Sequence, residues 1–195
     1  IIQEYENTRK ESNDPFYMFN VTMQNHGGYT TNASNFSQTI GITSTENIYT
    51  KAINYLSLVK ASDNAFKNLI SYFTTFDYPP IICMFGDHQP SIESKFIAEI
   101  LGVDDLSGLS IEQEQNRHIT PFYIWANYDI EEKEIDKLSV NYLSTYVLKT
   151  AGVKLPKYNK YLYNLSKKLP VIDTVGYIDS EDKYYKGSSD SPYSK

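Results

Sequence analysis

The segment PPIICMFGDHQP, residues 79–90, determines how the rest of the chain is interpreted. Its five consecutive apolar residues, Ile81–Phe85, lie between two prolines and a glycine, a pattern typical of a short buried strand. In open α/β sheets, ligands bind beyond the carboxyl ends of the strands. Asp87 and His88 follow this end directly and offer one oxygen and one nitrogen ligand to a divalent cation. The segment therefore predicts a strand followed by a metal-binding pair; the alternative is a turn-forming or capping aspartate beside an uninvolved histidine.

A second histidine follows another apolar segment. The residues Phe16–Met23 (FYMFNVTM) are aromatic and β-branched and predict a buried strand. His26 comes just after them, within NHGGY, where two glycines leave room for a ligand. The alternative is a solvated loop histidine. Because parallel neighbouring strands end at one edge of a sheet, we expect His26 to converge with Asp87 and His88 on a single site.

Helical periodicity and turn residues predict the remaining elements. The predicted helices are Ile2–Glu11, Ile48–Phe73, Ser91–Leu101 with Ser91 as N-cap, and Ile135–Thr150 closed by Gly152, and the further strands are Ile119–Ala126 and Val171–Ile178. Strands that alternate with long helices indicate an α/β fold with a largely parallel sheet flanked by helices. We expect the segments 16–23, 81–85 and 119–126 to share that sheet.

Two further ionisable residues have two interpretations each. Asp63 lies on the apolar stripe of the helix predicted over Ile48–Phe73. It is either an acid in or just behind the active site or, in the interpretation that we favour, a structural anchor hydrogen-bonded to the backbone. His118 precedes the strand predicted from Ile119. In a parallel sheet that position is opposite the predicted site, so we interpret His118 as a surface residue; an antiparallel strand would bring it to the site.

Composition limits the function classes. The chain has 195 residues, enough for one domain, and a formal net charge of -6 without a block of Lys and Arg. A general nucleic-acid binder needs a basic face, so that class is excluded. The single cysteine, Cys83, excludes an internal disulfide, and its apolar neighbours indicate a buried small side chain. The chain opens at Ile1 without a Met, so we expect it to be part of a longer protein. The serine-rich residues 187–195 are expected to form a disordered tail.

Four segments together resemble one family. FYMFNVTMQNHGGY, YLSLVKASDNAFKNLISYF, PPIICMFGDHQP and ITPFYIWANYDI occur in the order and rough spacing of lipoteichoic acid synthases and related phosphoglycerol transferases. The similarity extends from about Pro15 to Gly152. The GDH element is shared across the alkaline phosphatase/sulfatase superfamily, whereas NHGGY and TPFYIWANYD resemble the lipoteichoic acid synthase branch. The resemblance implies that residues 1–195 are the C-terminal part of a sulfatase-like catalytic domain with an incomplete layered fold.

The resemblance also assigns roles to site residues. It implies that Asp87 and His88 are ligands of a manganese, magnesium or zinc ion, which this part of the domain alone would bind weakly or not at all. It implies that His26 is a catalytic residue that contacts the phosphate or phosphoglycerol group. The family's nucleophile is a threonine, which the resemblance places before Ile1 together with a further acidic ligand. The threonines near His26 do not match its context.

The implied function is metal-dependent phosphoglycerol transfer in the synthesis of a cell-envelope polymer. The implied partners are a lipid-linked phosphoglycerol donor, a glycolipid or polymer acceptor, the N-terminal half of the domain, and the membrane through an N-terminal anchor. The implied location is the extracellular face of the cell membrane of a Gram-positive bacterium. Two alternatives stay open: a sulfatase or phosphodiesterase of the same superfamily, and a non-catalytic module that binds an anionic cell-wall polymer.

Overall fold

The computed structural model describes residues 1–30 and 36–187. The chain divides into two compact units, each described by itself below. Unit 1 comprises Ile1–Tyr78 and Pro90–Asp105, and unit 2 comprises Pro79–Gln89 and Leu106–Lys195. No helix within the described residues is long and apolar enough to cross a membrane. The residues of the predicted tail from 188 onward lie outside the described residues.

The described residues of unit 1 form three helices: α1 (Ile2–Glu11), α2 (Thr50–Phe73) and α3 (Ser94–Leu101). An aromatic cluster holds α1 against the C-terminal end of α2. The ring of Tyr5 makes edge contacts with Phe73 at 4.8 Å and with Phe76 at 5.3 Å between ring centroids. Edge-to-face aromatic pairs of this kind stabilise a core beyond the area that they bury. The predicted helix over Ile2–Glu11 is confirmed.

Tyr49, the residue before α2, contacts α3 through its hydroxyl and its ring. The Tyr49 hydroxyl donates a 2.5 Å hydrogen bond to the Glu99 carboxylate, and its ring packs 5.1 Å from the ring of Phe96. Burial, together with the hydrogen bond to Glu99, raises the pKa of Tyr49 to about 12. The prediction for α3 was wrong at its start: the N-cap is Glu93, not Ser91.

The predicted strand over Phe16–Met23 is wrong, because this segment has irregular backbone throughout. Several of its apolar side chains are also largely exposed: Tyr17, Val21 and Met23 are 85%, 69% and 63% exposed. A strand needs a neighbour to pair its backbone N–H and C=O groups, and no described segment pairs with this one. The expected three-stranded arrangement of segments 16–23, 81–85 and 119–126 is therefore not formed.

Unit 2 is built around two sheets. Strands β1 (Ile81–Phe85) and β2 (Phe122–Ala126) form one pair, and β3 (Val171–Ile172), β4 (Gly176–Ile178) and β5 (Tyr184–Lys186) form the other sheet. Strand β1 is confirmed to the residue. Strand β2 begins three residues later than predicted because Pro121 has no N–H to donate to the ladder.

The pairing of β1 with β2 is antiparallel, with Ile81 opposite Ala126 and Phe85 opposite Phe122. All strand pairs among the described residues are antiparallel. The prediction of a largely parallel sheet was therefore wrong for this part of the chain. An apolar run shows that a strand is buried but carries no information about its direction. The broader prediction, a mixed fold of helices and sheet, is confirmed.

Up to residue 187, three helices complete unit 2: α4 (Ile111–Asn116), α5 (Val140–Thr150) and α6 (Lys157–Ser166). The predicted helix from Ile135 starts only at Val140, and Gly152 follows its end with a φ of 70° that favours glycine. Helix α6 was not predicted. It packs on α5, where the fully buried Thr145 hydroxyl accepts a hydrogen bond from Asn159.

The predicted single strand Val171–Ile178 is a hairpin of β3 and β4. The Asp173 carboxylate reverses the chain by accepting hydrogen bonds from the backbone N–H groups of Val175 and Gly176, both at 2.8 Å. Aspartate commonly makes such turns by mimicking a backbone carbonyl. The hairpin therefore follows from one side chain within an otherwise apolar segment.

Candidate functional site

The loop after β1 brings a carboxylate and an imidazole together. Nε2 of His88 lies 3.5 Å from Oδ2 of Asp87, and the other carboxylate oxygen accepts the backbone N–H of His88 at 2.9 Å. Nδ1 of His88 lies 3.0 Å from the backbone carbonyl of Gln89. Both side chains are open to solvent, with 73% of His88 and 80% of Asp87 exposed. The pair is therefore accessible to an ion or a substrate.

The Gln89 contact selects the tautomer of His88. A carbonyl oxygen can only accept, so Nδ1 carries a hydrogen in this contact. Nε2 keeps its lone pair in the neutral imidazole and carries a second hydrogen in the imidazolium form. In the neutral form Nε2 and Oδ2 of Asp87 are two facing acceptors, which a cation can bridge.

The spacing of these two atoms fits a divalent cation. Two ligands bound at about 2.1 Å with a tetrahedral angle between them lie about 3.4 Å apart, and the observed separation is 3.5 Å. A proton on Nε2, giving an ion pair with Asp87, satisfies the same geometry. Within residues 1–30 and 36–187, no group of three or more His, Cys, Asp or Glu residues is placed to hold a metal ion. Asp87 and His88 thus offer two potential ligand atoms, fewer than the three protein ligands usual in a catalytic zinc site.

His26 lies on an exposed turn of unit 1 that is anchored to α2. Its backbone N–H donates to the carbonyl of Met23 at 3.1 Å, and Gly28 adopts a φ of 109° that few other residues tolerate. The buried Tyr29 ends the turn, and its carbonyl accepts a 2.5 Å hydrogen bond from the Asn54 side chain of α2. The turn therefore presents the exposed His26 from a fixed base. Because Asp87 and His88 belong to unit 2, the convergence of the three residues stays a prediction.

The antiparallel pairing changes the position of His118. The residues before β2 lie at the end of the sheet where β1 ends, which is the end that carries Asp87. His118 is exposed, as predicted, and it lines the same open cleft of unit 2 as Asp87. The expectation that His118 is on the wrong side of the sheet was therefore wrong, because it assumed parallel strands. The direction of β2 was the signal that the sequence lacked.

Asp63 does not face a core. It is exposed on α2 and forms an ion pair with Lys60, whose Nζ lies 3.6 Å from Oδ2. The anchoring interpretation was wrong, because the carboxylate is exposed; the active-site interpretation stays a prediction. The periodicity correctly predicted a helix here. Asp63, however, lies on the solvent-facing side of α2 and not on its apolar stripe.

Comparisons with known proteins agree on the fold. A family model described as Sulfatase matches residues 1–153. A protein of Rhizobium meliloti (strain 1021), named for a proposed role in cyclic beta-1,2-glucan modification, is 30% identical over 181 residues, which are 89% of this chain and 28% of that protein. The Streptococcus pyogenes phosphoglycerol transferase GacH, solved in complex with sn-glycerol-1-phosphate, superposes with a TM-score of 0.58 at 19% identity.

The chain corresponds to only a part of both relatives. The superposition with GacH covers 79% of this chain and 37% of that chain. At 19% identity this likeness shows the fold. The fold of this chain is thus a partial version of the one seen in GacH.

Proposed function

Because the chain belongs to the Sulfatase family, within the alkaline phosphatase superfamily, we propose that it forms part of a metal-dependent phosphoglycerol transferase. The observation that carries the proposal is the 3.5 Å separation of Oδ2 of Asp87 and Nε2 of His88 at the end of β1, which fits two ligands of one divalent cation. The fold that the chain shares with a phosphoglycerol transferase supports the reaction type.

In this proposal Asp87 and His88 hold a manganese, magnesium or zinc ion from one side. A bound divalent cation stabilises charge on phosphate oxygens and lowers the pKa of a coordinated hydroxyl. His26 donates a hydrogen bond to the phosphate or phosphoglycerol group. These residues position and neutralise the phosphate, which is the main task of a protein in phosphoryl transfer.

The covalent step requires a nucleophile, which we propose is a threonine from a segment that precedes Ile1. The same segment would supply a further acidic ligand and, beyond it, the membrane anchor. The donor is a lipid-linked phosphoglycerol on the extracellular face of the cell membrane. The acceptor is a glycolipid or an envelope polymer, and the name of the Rhizobium meliloti relative supports a glucan among the polymers.

Sulfate or phosphate diester hydrolysis is the second candidate, and the family match itself favours it, since the matching model is described as Sulfatase. Both candidate reactions use the same cation, held by Asp87 and His88. They differ in whether the covalently bound group passes to a sugar hydroxyl or to water.

A manganese titration by calorimetry tests the metal site. We expect measurable but weak binding to the chain, because two protein ligands do not complete a coordination sphere. Asp87→Ala and His88→Ala should each abolish it, whereas Asp63→Ala, which removes another largely exposed carboxylate, should leave it unchanged. Equal binding by Asp87→Ala and the unaltered chain would refute the proposed site.

Turnover assays separate the two reactions. The chain alone should hydrolyse neither a phosphate diester nor a sulfate ester, because it lacks the proposed nucleophile. The chain joined to the segment that precedes it should transfer phosphoglycerol from a lipid donor to a glycan in the presence of manganese. Metal-dependent turnover by the 195 residues alone, lost in Asp87→Ala, would show that the site is complete within them and that the proposed division is wrong.

A further inference from the structure

The loop that carries the proposed metal ligands is fastened at two points to one neighbouring segment. We call Gly86–Gln89 the ligand loop and Ile119–Pro121, which lies directly before β2, the clamp segment. The antiparallel register brings them together, because β1 ends where β2 begins. The contacts lie on both sides of the Asp87–His88 pair.

The first point is Gly86, which the clamp segment holds by both of its backbone groups. Its N–H donates to the carbonyl of Pro121 at 3.1 Å, and its carbonyl accepts the Thr120 hydroxyl at 2.8 Å. The carbonyl of Gly86 belongs to the planar peptide that starts Asp87. The Thr120 hydroxyl therefore sets the orientation of the peptide from which the carboxylate extends.

The second point is Gln89, which follows the pair. Its side-chain amide donates to the backbone carbonyl of Ile119. The backbone carbonyl of the same Gln89 accepts Nδ1 of His88 at 3.0 Å. Fixing Gln89 thus fixes the group that orients the imidazole.

Gly86 is required at the first point because of space. A Cβ atom on Gly86 would lie 2.9 Å from Cβ and 3.3 Å from Cγ2 of Thr120. Gly86 has no positive φ, so the glycine serves the close approach of the two segments and not a left-handed turn. The absence of a side chain on Gly86 thus allows the Thr120 hydroxyl to reach the Gly86 carbonyl.

The pair itself has few other restraints. With 73% of His88 and 80% of Asp87 exposed, packing does not hold either side chain in place. Ligands of a metal site bind well only when their supporting shell holds them in the productive geometry. The backbone of the ligand loop must then supply that order.

We propose that Thr120 and Gln89 are positioning residues that hold Asp87 and His88 in the geometry for a divalent cation. This inference rests on the proposed function for its consequence, although the clamp itself can be tested without metal. Thr120→Val removes the hydroxyl and keeps the shape of the side chain. Gln89→Met removes the amide from an exposed position and carries little risk of unfolding the protein.

The first measurement is manganese affinity of the full 195-residue chain. Removing the support of a ligand typically weakens metal binding about tenfold or more, and we expect this from Thr120→Val and from Gln89→Met. Thr120→Ser should restore binding. Thr74→Val is the matched control, because Thr74 also donates its hydroxyl to a backbone carbonyl, that of Ile70 at 2.8 Å, but lies in unit 1.

The second measurement is amide hydrogen exchange of the metal-free chain. Thr120→Val should speed exchange of the His88 amide, which is bonded to Asp87, about tenfold, and leave Met84, which faces β2 in the antiparallel ladder, unchanged. Faster exchange at Met84 as well would indicate general unfolding, and Gln89→Met would then decide the question at His88.

The outcomes separate the inference from the proposed function. Normal affinity in Thr120→Val and Gln89→Met, combined with loss of binding in Asp87→Ala, overturns the inference and leaves the metal site intact. If the unaltered chain binds no manganese, the proposed function fails for these residues. In that case the amide exchange of His88 alone tests whether Thr120 and Gln89 order the ligand loop. Unchanged exchange in both variants would overturn that inference.

Discussion

Oδ2 of Asp87 and Nε2 of His88 face each other at 3.5 Å, while Nδ1 of the same imidazole contacts the backbone carbonyl of Gln89. With a neutral imidazole, this arrangement leaves both atoms of the pair as acceptors. It explains why two adjacent, largely exposed residues suit a cation, and it depends on a loop that unit 2 holds in place.

His26→Ala should weaken the binding of sn-glycerol-1-phosphate to the chain. A hydrogen bond to a charged group contributes about 1.5–3 kcal/mol, so we expect a loss of about tenfold or more. The measurement is a titration followed by calorimetry. Gln3→Ala, at an exposed position of α1, is the control, and equal losses in both variants would contradict a specific role for His26.

The convergence of His26 with Asp87 can be tested by a double-mutant cycle on the same ligand in the presence of manganese. Residues that act on one ligand in one site couple by about 0.5 kcal/mol or more, whereas distant sites are additive. Additive effects of His26→Ala and Asp87→Ala would mean that the two residues belong to separate sites.

Glu93→Ala should destabilise unit 1 by about 1–2 kcal/mol. The Glu93 carboxylate accepts the backbone N–H groups of Lys51 and Ala52 at 2.8 and 3.0 Å and so caps the start of α2, which has no side-chain cap of its own. Chemical denaturation measures the free energy of unfolding. Glu132→Ala, an exposed site outside any helix, makes the same charge change and should have little effect.

Asp179 should make the stability of unit 2 sensitive to acid. Burial alone would raise the pKa of Asp179, but the backbone N–H groups of Glu181 and Lys183 and the Tyr185 hydroxyl donate to its carboxylate and hold the pKa below its ordinary value. A carboxyl whose folded pKa is depressed contributes stability above its unfolded pKa, about 3.9, and loses it as the pH falls through the folded pKa.

The corresponding measurement is the thermal midpoint between pH 7 and pH 2. Asp179→Asn should lower the midpoint at pH 7 and remove part of its fall below pH 4. Asp182→Asn serves as the control in the same hairpin, because asparagine also tolerates the positive φ of 59° at that position. An identical acid profile for Asp179→Asn and the unaltered chain would refute the assignment.

Gly176→Ala should destabilise the second sheet by about 1–3 kcal/mol through steric overlap. A Cβ atom on Gly176 would overlap the backbone carbonyl of Tyr185 on the neighbouring strand β5. Gly41→Ala, where no atom lies within 4 Å of the added Cβ, should be nearly neutral. Chemical denaturation distinguishes the two variants, and equal stability would show that β5 moves aside without cost.

The sequence by itself determined the elements whose signal is local. Strand β1, helix α1 and most of α2 follow from short apolar runs or from three- and four-residue periodicity, and the adjacency of Asp87 and His88 follows from the chain itself. The resemblance of four ordered segments also identified the superfamily correctly, because the motif combination is specific even where each motif is not.

Only the tertiary structure decided which segments pair and which residues they bring to the site. Phe16–Met23 has strand-like composition but no partner, β2 runs opposite to the expected direction, and the cap of α2 comes from Glu93, 42 positions away from Lys51. The antiparallel register also placed Thr120 against Gly86. The physical reason is that backbone and capping hydrogen bonds join groups far apart in sequence, so their partners are fixed by the packing of the whole chain and not by the local pattern of side chains.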